Sequence, residues 1–272
     1  MAAINAYRMD GLGNDFIIID RRENSIEIKK NKIIELGNRA NIGFDQIIFI
    51  EKQKEASYPI TIYNSDGGEV SACGNGARCV AYFLSENLNK KEIKIKTNNR
   101  SLNAKIVGDF QVELEMGKPL FDSEEIPLSK KINPRNVVLN INDQIFSEGF
   151  CVNVGNPHII FFGKDYFKYD LKVIGPKIEN HILFPEKTNV TFADVIDKNN
   201  IKVSVWERGA GLTKACGTAA CATAVASFSK NFTERKVHIA FDQGSLKIKY
   251  DNDKNIFMTG PVSKIKKMDI SI

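Results

Sequence analysis

The sequence has no apolar run near the roughly 18 residues that a membrane-spanning helix requires. Its longest runs, 16–19 (FIII) and 47–50 (IIFI), are strand-sized, so a membrane span is excluded. The opening stretch MAAINAYRMD lacks a charged start followed by an apolar segment. It does not read as a secretory signal, and the cytoplasm is the expected compartment. Five cysteines are present, an odd number, with no CxxC pair and no spacing that resembles a disulfide framework. Reduced thiols are expected. The glycines at 67, 68, 74 and 76 are not followed by Gly-Lys-Ser/Thr, which excludes a P-loop. A strong charge of either sign is also missing. Lys plus Arg is 38 against 33 for Asp plus Glu, a net +5, and the basic residues are mostly lysines dispersed among Asn, Asp and Glu. That pattern is a solvated face and implies no nucleic-acid partner.

What is present is ordinary in bulk and unusual in order. A 43% hydrophobic and 26% charged composition fits a globular protein and excludes disorder as the main state. At roughly 100–200 residues per domain, 272 residues predict two domains. Residues 60–74 read ITIYNSDGGEVSACG, and residues 203–217, set 143 positions later without a gap, read VSVWERGAGLTKACG. Other pairs keep nearly that offset: GNDFIII at 13–19 with GNPHIIF at 155–161, DQIIF at 45–49 with TNVTF at 188–192, Ser101-Leu102 with Ser245-Leu246, and Gly117 with Gly260. Five matches in the same order imply an internal duplication.

The halves are 1–117, completed by a last strand within 261–272, and 118–260, with the proline-containing segment 118–136 as the crossover. Hydrophobic periodicity predicts an α+β fold. Strands are expected at 16–19, 46–50, 59–63, 92–97, 111–116, 150–154, 159–162, 189–192, 201–206, 237–241, 246–250 and 256–259, and helices at about 30–39, 74–88, 172–181 and 217–229. The helices after each Ala-Cys-Gly are small and apolar all round, which marks them as buried. Each half is therefore expected to be a curved mixed or antiparallel sheet wrapped around a central helix.

The duplicated element carries a cysteine at a helix start, Cys73 in one half and Cys216 in the other. A helix N-terminus offers unsatisfied N–H groups and a partial positive charge, which favour thiolate and bind carboxylate. If the halves are related by a pseudo-twofold axis, the two thiols can face one cleft. Two acid–base groups on opposite sides of one carbon suit removal of a proton on one face and its return on the other, the chemistry of a racemase or epimerase. Cys79, Cys151 and Cys221 are expected to be core residues. At about 100° per residue, Cys79 lies roughly 240° around its helix from Cys73, and Cys221 roughly 140° from Cys216. The spacings do not fit a zinc site.

At this point the motifs GLGNDF (11–16), DQ (45–46), YNSDG (63–67), ACGNGARC (72–79), GNPH (155–158), TNV (188–190), ERGAG (207–211) and ACGTAAC (215–221) resemble those of the diaminopimelate epimerase family over nearly the whole chain. The resemblance implies two pseudo-symmetric domains and interconversion of LL- and meso-2,6-diaminopimelate in lysine and cell-wall precursor synthesis. It also implies an enzyme that uses neither pyridoxal phosphate nor metal, and a homodimer. By the same resemblance Cys73 and Cys216 carry the chemistry, each thiolate in one direction and thiol in the other. Gly74, Asn75, Gly217 and Thr218 would donate to the carboxylate beside the reacting carbon. Glu207 and Arg208 would meet the charges at the substrate's far end, with the arginine gripping a carboxylate through two N–H groups. Asn14, Gln46, Asn64, Asn156 and Asn189 match the remaining polar contacts, and His158 would orient substrate or a thiol. The duplication pairs Asn14 with Asn156, Gln46 with Asn189, and Asn64 with Glu207.

The sequence departs from the family at four places: Asp10 where a His is frequent, Lys187 where an Arg is common, Leu212 where a Glu is frequent, and Lys214 where an apolar residue is common. Lys214 either lowers the pKa of the nearby thiol or points to solvent. Proline or hydroxyproline racemisation is disfavoured by the Glu207-Arg208 pair, which a substrate with one charged end does not need. Thiol redox function lacks its usual CxxC, and a pure binding module leaves the duplicated cysteine unexplained.

Overall fold

The protein is described by a computed structural model covering residues 3–71, 73–98, 100–142 and 144–272. It divides into two compact units, Met1–Glu115 with Thr259–Ile272, and Met116–Met258.

In the first unit β1 (Ala3–Gly11) and β2 (Asn14–Asp20) form a hairpin. Its two-residue loop, Leu12-Gly13, has both φ angles positive, at 56° and 80°, the loop geometry that matches the twist of paired strands. The chain's final strand, Lys266–Ser271, pairs antiparallel with β1. The helix α1 (Lys30–Gly37) leads to β3 (Gln46–Ile50), which runs parallel to β2. The strand β4 (Tyr58–Asn64) returns antiparallel and places Asn64 opposite Gln46. After the short β5 (Glu69–Val70) comes α2 (Gly74–Leu88), then the meander β6 (Glu92–Lys96), β7 (Ser101–Gly108) and β8 (Gln111–Gly117).

Both faces of β2 and β3 are covered, which explains their unbroken apolar runs. Ile17, Ile19, Ile47 and Phe49 pack with Ile33 and Leu36 of α1. On the α2 side, a Cβ at Gly76 would lie 2.7 Å from Ile48 Cδ1 and 3.4 Å from Phe16 Cε1. The glycine is thus the condition for α2 to approach the sheet. The helix closes at Asn89, whose left-handed backbone (φ 52°) turns its N–H onto the Ser85 carbonyl.

The second unit repeats this plan. The strands β9 (Val137–Ile141) and β10 (Gln144–Asn153) are antiparallel, and β10 pairs with β11 (Pro157–Phe162). A 3-10 turn at Lys164–Lys168 and α3 (Leu171–Glu179) precede β12 (Asn189–Asp197), which is parallel to β11 as β3 is to β2. The strand β13 (Asn200–Glu207) returns antiparallel and is followed by β14 (Gly211–Thr213) and α4 (Gly217–Ser229). The strands β15 (Lys236–Phe241) and β16 (Gly244–Tyr250) pair antiparallel, and β17 (Ile256–Pro261) leads back into the first unit. Ile159, Phe161, Val190 and Phe192 pack with Leu171, Ile174 and Ile178 of α3. The helix α4 packs on β10, β11, β12, β15 and β16 and buries nearly every residue from Gly217 to Ser227.

The fold class is the expected one: a mixed sheet with few helices, built from two repeated halves. All four helices fall where periodicity puts them. α1 stops at Gly37 because Asn38 turns extended, and α3 gives way at Asn180. Five strands among the described residues lie outside the expected set: β1, β7 and β9, and the two- and three-residue β5 and β14. β1 and β7 interleave polar or small residues and leave no apolar run to read, β5 and β14 are too short for a period, and the apolar β9 follows directly on the proline-containing segment expected to be a crossover.

Candidate functional site

In both units the singled-out residues gather at one end of the sheet. Parallel β2 and β3 begin with Asn14 and Gln46, antiparallel β4 ends with Asn64, and α2 starts beside them after Cys73. In the second unit, Asn156 immediately precedes β11 and His158 is its second residue, Asn189 lies at the start of β12, Glu207 at the end of β13, and Cys216 before α4. The pairing of Asn14 with Asn156, Gln46 with Asn189 and Asn64 with Glu207 is therefore a pairing of equivalent strand positions.

The two cysteines cap their helices in the same conformation. Cys73 has φ −145° and ψ 114°, and Cys216 has φ −131° and ψ 116°. Each Sγ accepts a hydrogen bond from the backbone N–H three residues on, Gly76 and Ala219, at 3.4 Å. The sulfur thus occupies the position that a Ser or Asp side chain takes in an ordinary N-cap.

Their surroundings differ. Cys73 is half-buried, and near it runs a directional chain of amides. Arg78, fully buried on α2, donates to Asn75 Oδ1 at 2.9 Å. Asn75 Nδ2 donates to Asn14 Oδ1 at 2.7 Å, and Asn14 Nδ2 donates to Asp45 Oδ2 at 3.2 Å. A cation at one end and a carboxylate at the other fix which way both amides face. Each amide retains a second N–H, a donor suited to an anion. Alongside, Gln46 Nε2 donates to Asn64 Oδ1 at 3.0 Å.

Cys216 is buried, with Sγ 3.4 Å from Thr218 Oγ1. Burial pushes its thiol well above the ordinary cysteine range, and the neighbouring Glu207 carboxylate pushes it further. Glu207 is itself raised by burial, while the nearby Thr213 hydroxyl and Cys216 thiol pull it back. The expectation that the helix terminus makes this thiol a thiolate is thus outweighed. Lys214 is exposed and is not among the groups that shift it. Cys216 rests protonated.

His158 is fully buried on β11. Its Nε2 lies 2.9 Å from Asn156 Oδ1, an acceptor, so the ring proton sits on Nε2. Nδ1 is a buried lone pair without a hydrogen-bond partner among the described residues. Burial, aided by the Arg208 charge, lowers its pKa to about 3, so the ring is neutral at physiological pH. Asn189 braces this end of the unit: Nδ2 donates to the Pro157 carbonyl at 2.7 Å, and Oδ1 accepts the Arg208 N–H at 2.9 Å. The Arg208 side chain is exposed and donates to the Glu186 carbonyl at 2.9 Å.

Cys79, Cys151 and Cys221 are wholly buried, and burial carries the first two thiols far above their ordinary range, alone for Cys151 and as the largest cause for Cys79. Among the departures from the family pattern, Asp10 holds the β1–β2 turn by accepting from the Gly13 N–H at 3.1 Å. Leu212 is exposed, and the Lys187 ammonium stands 4.0 Å from Glu179. Two residues escaped the sequence reading. Arg78 lies inside the quoted ACGNGARC, and its signal was a lone cation in a helix otherwise buried all round. Glu179 lies outside every quoted motif.

Comparison with known proteins fits this arrangement. The family model described as diaminopimelate epimerase matches residues 6–121 and 150–265, one segment for each copy of the repeat. A diaminopimelate epimerase of Pelagibacter ubique is 53% identical over 272 residues, covering 99% of both chains. One from Trichodesmium erythraeum is 42% identical over 267 residues, covering 94% of this chain and 95% of its own. Among solved structures, a PhzF-family phenazine biosynthesis protein of Bacillus anthracis superposes with a TM-score of 0.70 at 16% identity over the whole of both chains. A hydroxyproline epimerase of Agrobacterium vitis superposes with a TM-score of 0.67 at 10% identity, covering 98% of this chain and 92% of its own. Those two likenesses are of fold alone. With a duplicated helix-capping cysteine, the matching polar set at each sheet end and relatives of this closeness, the chain belongs to the diaminopimelate epimerase family.

Proposed function

We propose that Cys73 and Cys216 are the two acid–base groups of an epimerase that interconverts LL- and meso-2,6-diaminopimelate in lysine biosynthesis. The observation that carries this is the same cysteine cap, in the same backbone conformation, on the buried helix of each repeat. One sulfur, as thiolate, removes the α-proton. The other, as thiol, donates a proton to the opposite face of the same carbon. After one turnover the roles have exchanged, and the proton count is conserved. Burial and the Glu207 carboxylate favour the protonated form of Cys216 in the resting protein, the form of the donor, and in the reverse direction the same sulfur is the base.

The α-proton is a far weaker acid than a thiol, so the carbanion needs stabilisation inside the site. The N–H groups of Gly74, Asn75, Gly217 and Thr218, at two helix starts, supply it by holding the adjacent carboxylate. Asn14, Gln46, Asn64, Asn156 and Asn189 orient the substrate, and His158 orients substrate or a thiol. Glu207 and Arg208 take the distal ammonium and carboxylate, with Glu207 also acting on Cys216. We read 1–117 with 261–272, and 118–260, as the duplicated halves, and the enzyme as a cytoplasmic homodimer. A solution mass of a single chain would remove the dimer.

The decisive measurement is α-proton exchange. Incubated with LL-diaminopimelate in deuterium oxide, without pyridoxal phosphate and with metal stripped, the enzyme should exchange the α-proton. Retention of that proton after long incubation would defeat the proposal.

A further inference from the structure

Glu179 ends α3, and its side chain is only 6% exposed. A carboxylate at a helix C-terminus faces the negative end of the helix dipole, and a buried one is costly unless well bonded. Both oxygens are bonded here. Oε2 accepts from the Trp206 indole N–H at 2.6 Å, and Oε1 accepts from the Gly209 backbone N–H at 3.0 Å. Those two donors stand immediately before and after Glu207-Arg208. One turn earlier on the same helix face, Gly175 makes room for the indole. A Cβ there would lie 2.6 Å from Trp206 Cγ and 2.7 Å from Cδ2. The turn is closed by the Ala210 N–H on the Glu207 carbonyl at 3.1 Å. One face of α3 therefore wedges the indole with a glycine and ties both ends of the Glu207-Arg208 turn with a single carboxylate.

We propose that Glu179 is a positioning residue for recognition of the substrate's distal carboxylate: through Trp206 and Gly209 it sets where Arg208 is presented. This rests on the assignment of Arg208 to that carboxylate. Glutamine has the same shape but only one acceptor, and its NH2 would face one of the two N–H donors. Trp206 is the chain's single tryptophan, so tryptophan emission reports the surroundings of this indole.

The test compares Glu179→Gln, Arg208→Gln and the double variant in the full chain, by steady-state epimerisation of diaminopimelate and by tryptophan emission. Glu179→Gln should raise KM about 10-fold or more, leave kcat within about threefold, and shift the emission. The double variant should have a KM within about threefold of the worse single variant, because both changes act through one contact. A Glu179→Gln KM within about twofold of the parent, or KM effects that multiply fully in the double variant, would overturn the positioning role while leaving Arg208 in place. An unchanged KM in Arg208→Gln would overturn the distal assignment and this role with it. Should Glu179→Gln fail to fold, Trp206→Phe carries the test. It fills the groove over Gly175 but leaves Oε2 without its donor. A raised KM supports the role, and an unchanged one overturns it.

Discussion

The two capping cysteines share a backbone and differ in company. Cys73 is half-buried beside an amide chain that starts at the buried Arg78 cation. Cys216 is buried beside the Glu207 carboxylate, which raises its pKa. The fold thus supplies two equivalent sulfur positions, and their surroundings make them unequal: Cys216 is buried with a carboxylate beside it, and Cys73 is only half-buried. A two-base reaction needs one proton between the two thiols, and the surroundings decide which of them carries it before substrate binds.

The most severe way to break the comparison is to remove either sulfur. Cys73→Ala and Cys216→Ala should each lower epimerisation by about 10³-fold or more with the fold retained, as expected for loss of an acid–base group. Near-normal turnover in either variant would remove the two-base mechanism.

Next in size, Glu207→Gln should narrow the difference between the thiols. With the carboxylate charge gone, Cys216 ionises at lower pH, and its alkylation by iodoacetamide, followed by peptide mass mapping, should begin at lower pH than in the parent. Cys73 alkylation should keep its pH dependence. Epimerisation should fall about 10-fold to 100-fold. An unmoved Cys216 profile would mean that burial alone sets its state.

On the other side, Arg78→Met removes a buried donor from Asn75. The expected cost is about 1–3 kcal/mol in denaturant unfolding, with a loss of substrate affinity as the amide chain loses its fixed sense. A variant as stable and active as the parent would show that the Asp45 end suffices.

The smallest effect concerns His158. Held neutral in the fold with a pKa of about 3, it binds fewer protons than it does in the unfolded chain, where its pKa is about 6.5. Its contribution is therefore to lose stability as pH falls below about 6.5, a loss that levels off only near pH 3. Between pH 7.5 and 5.5, His158→Gln should lose less stability than the parent by on the order of 1 kcal/mol. Identical pH profiles would show that the ring is not held neutral.

Much of this was legible in the sequence because the duplication printed it twice. The buried strands read as apolar runs, the central helices as small-residue stretches, and the polar residues at strand ends as matched positions. Charge context was less legible. The helix start favours a thiolate at Cys216, yet burial, joined by Glu207, which lies nine residues earlier and is folded beside it by the β13–β14 hairpin, pushes the other way. Lys214, two residues away, looked relevant and points outward. Glu179 was invisible because its partners, Trp206 and Gly209, lie about 30 positions on and meet it only through packing of α3 on β13. β1, whose apolar residues are interrupted by Asn5, Arg8 and Asp10, shows its strand character only through its partners.

The cap itself has an entropic consequence. A sulfur that accepts the Gly76 or Ala219 N–H is held in one rotamer as soon as its helix forms. The freedom an exposed cysteine would lose on meeting its substrate is lost during folding instead, so the reacting atom waits in place. The same bond makes the sulfur part of the helix. A reagent that enlarges or oxidises either thiol would therefore release the first turn as well as silence the chemistry.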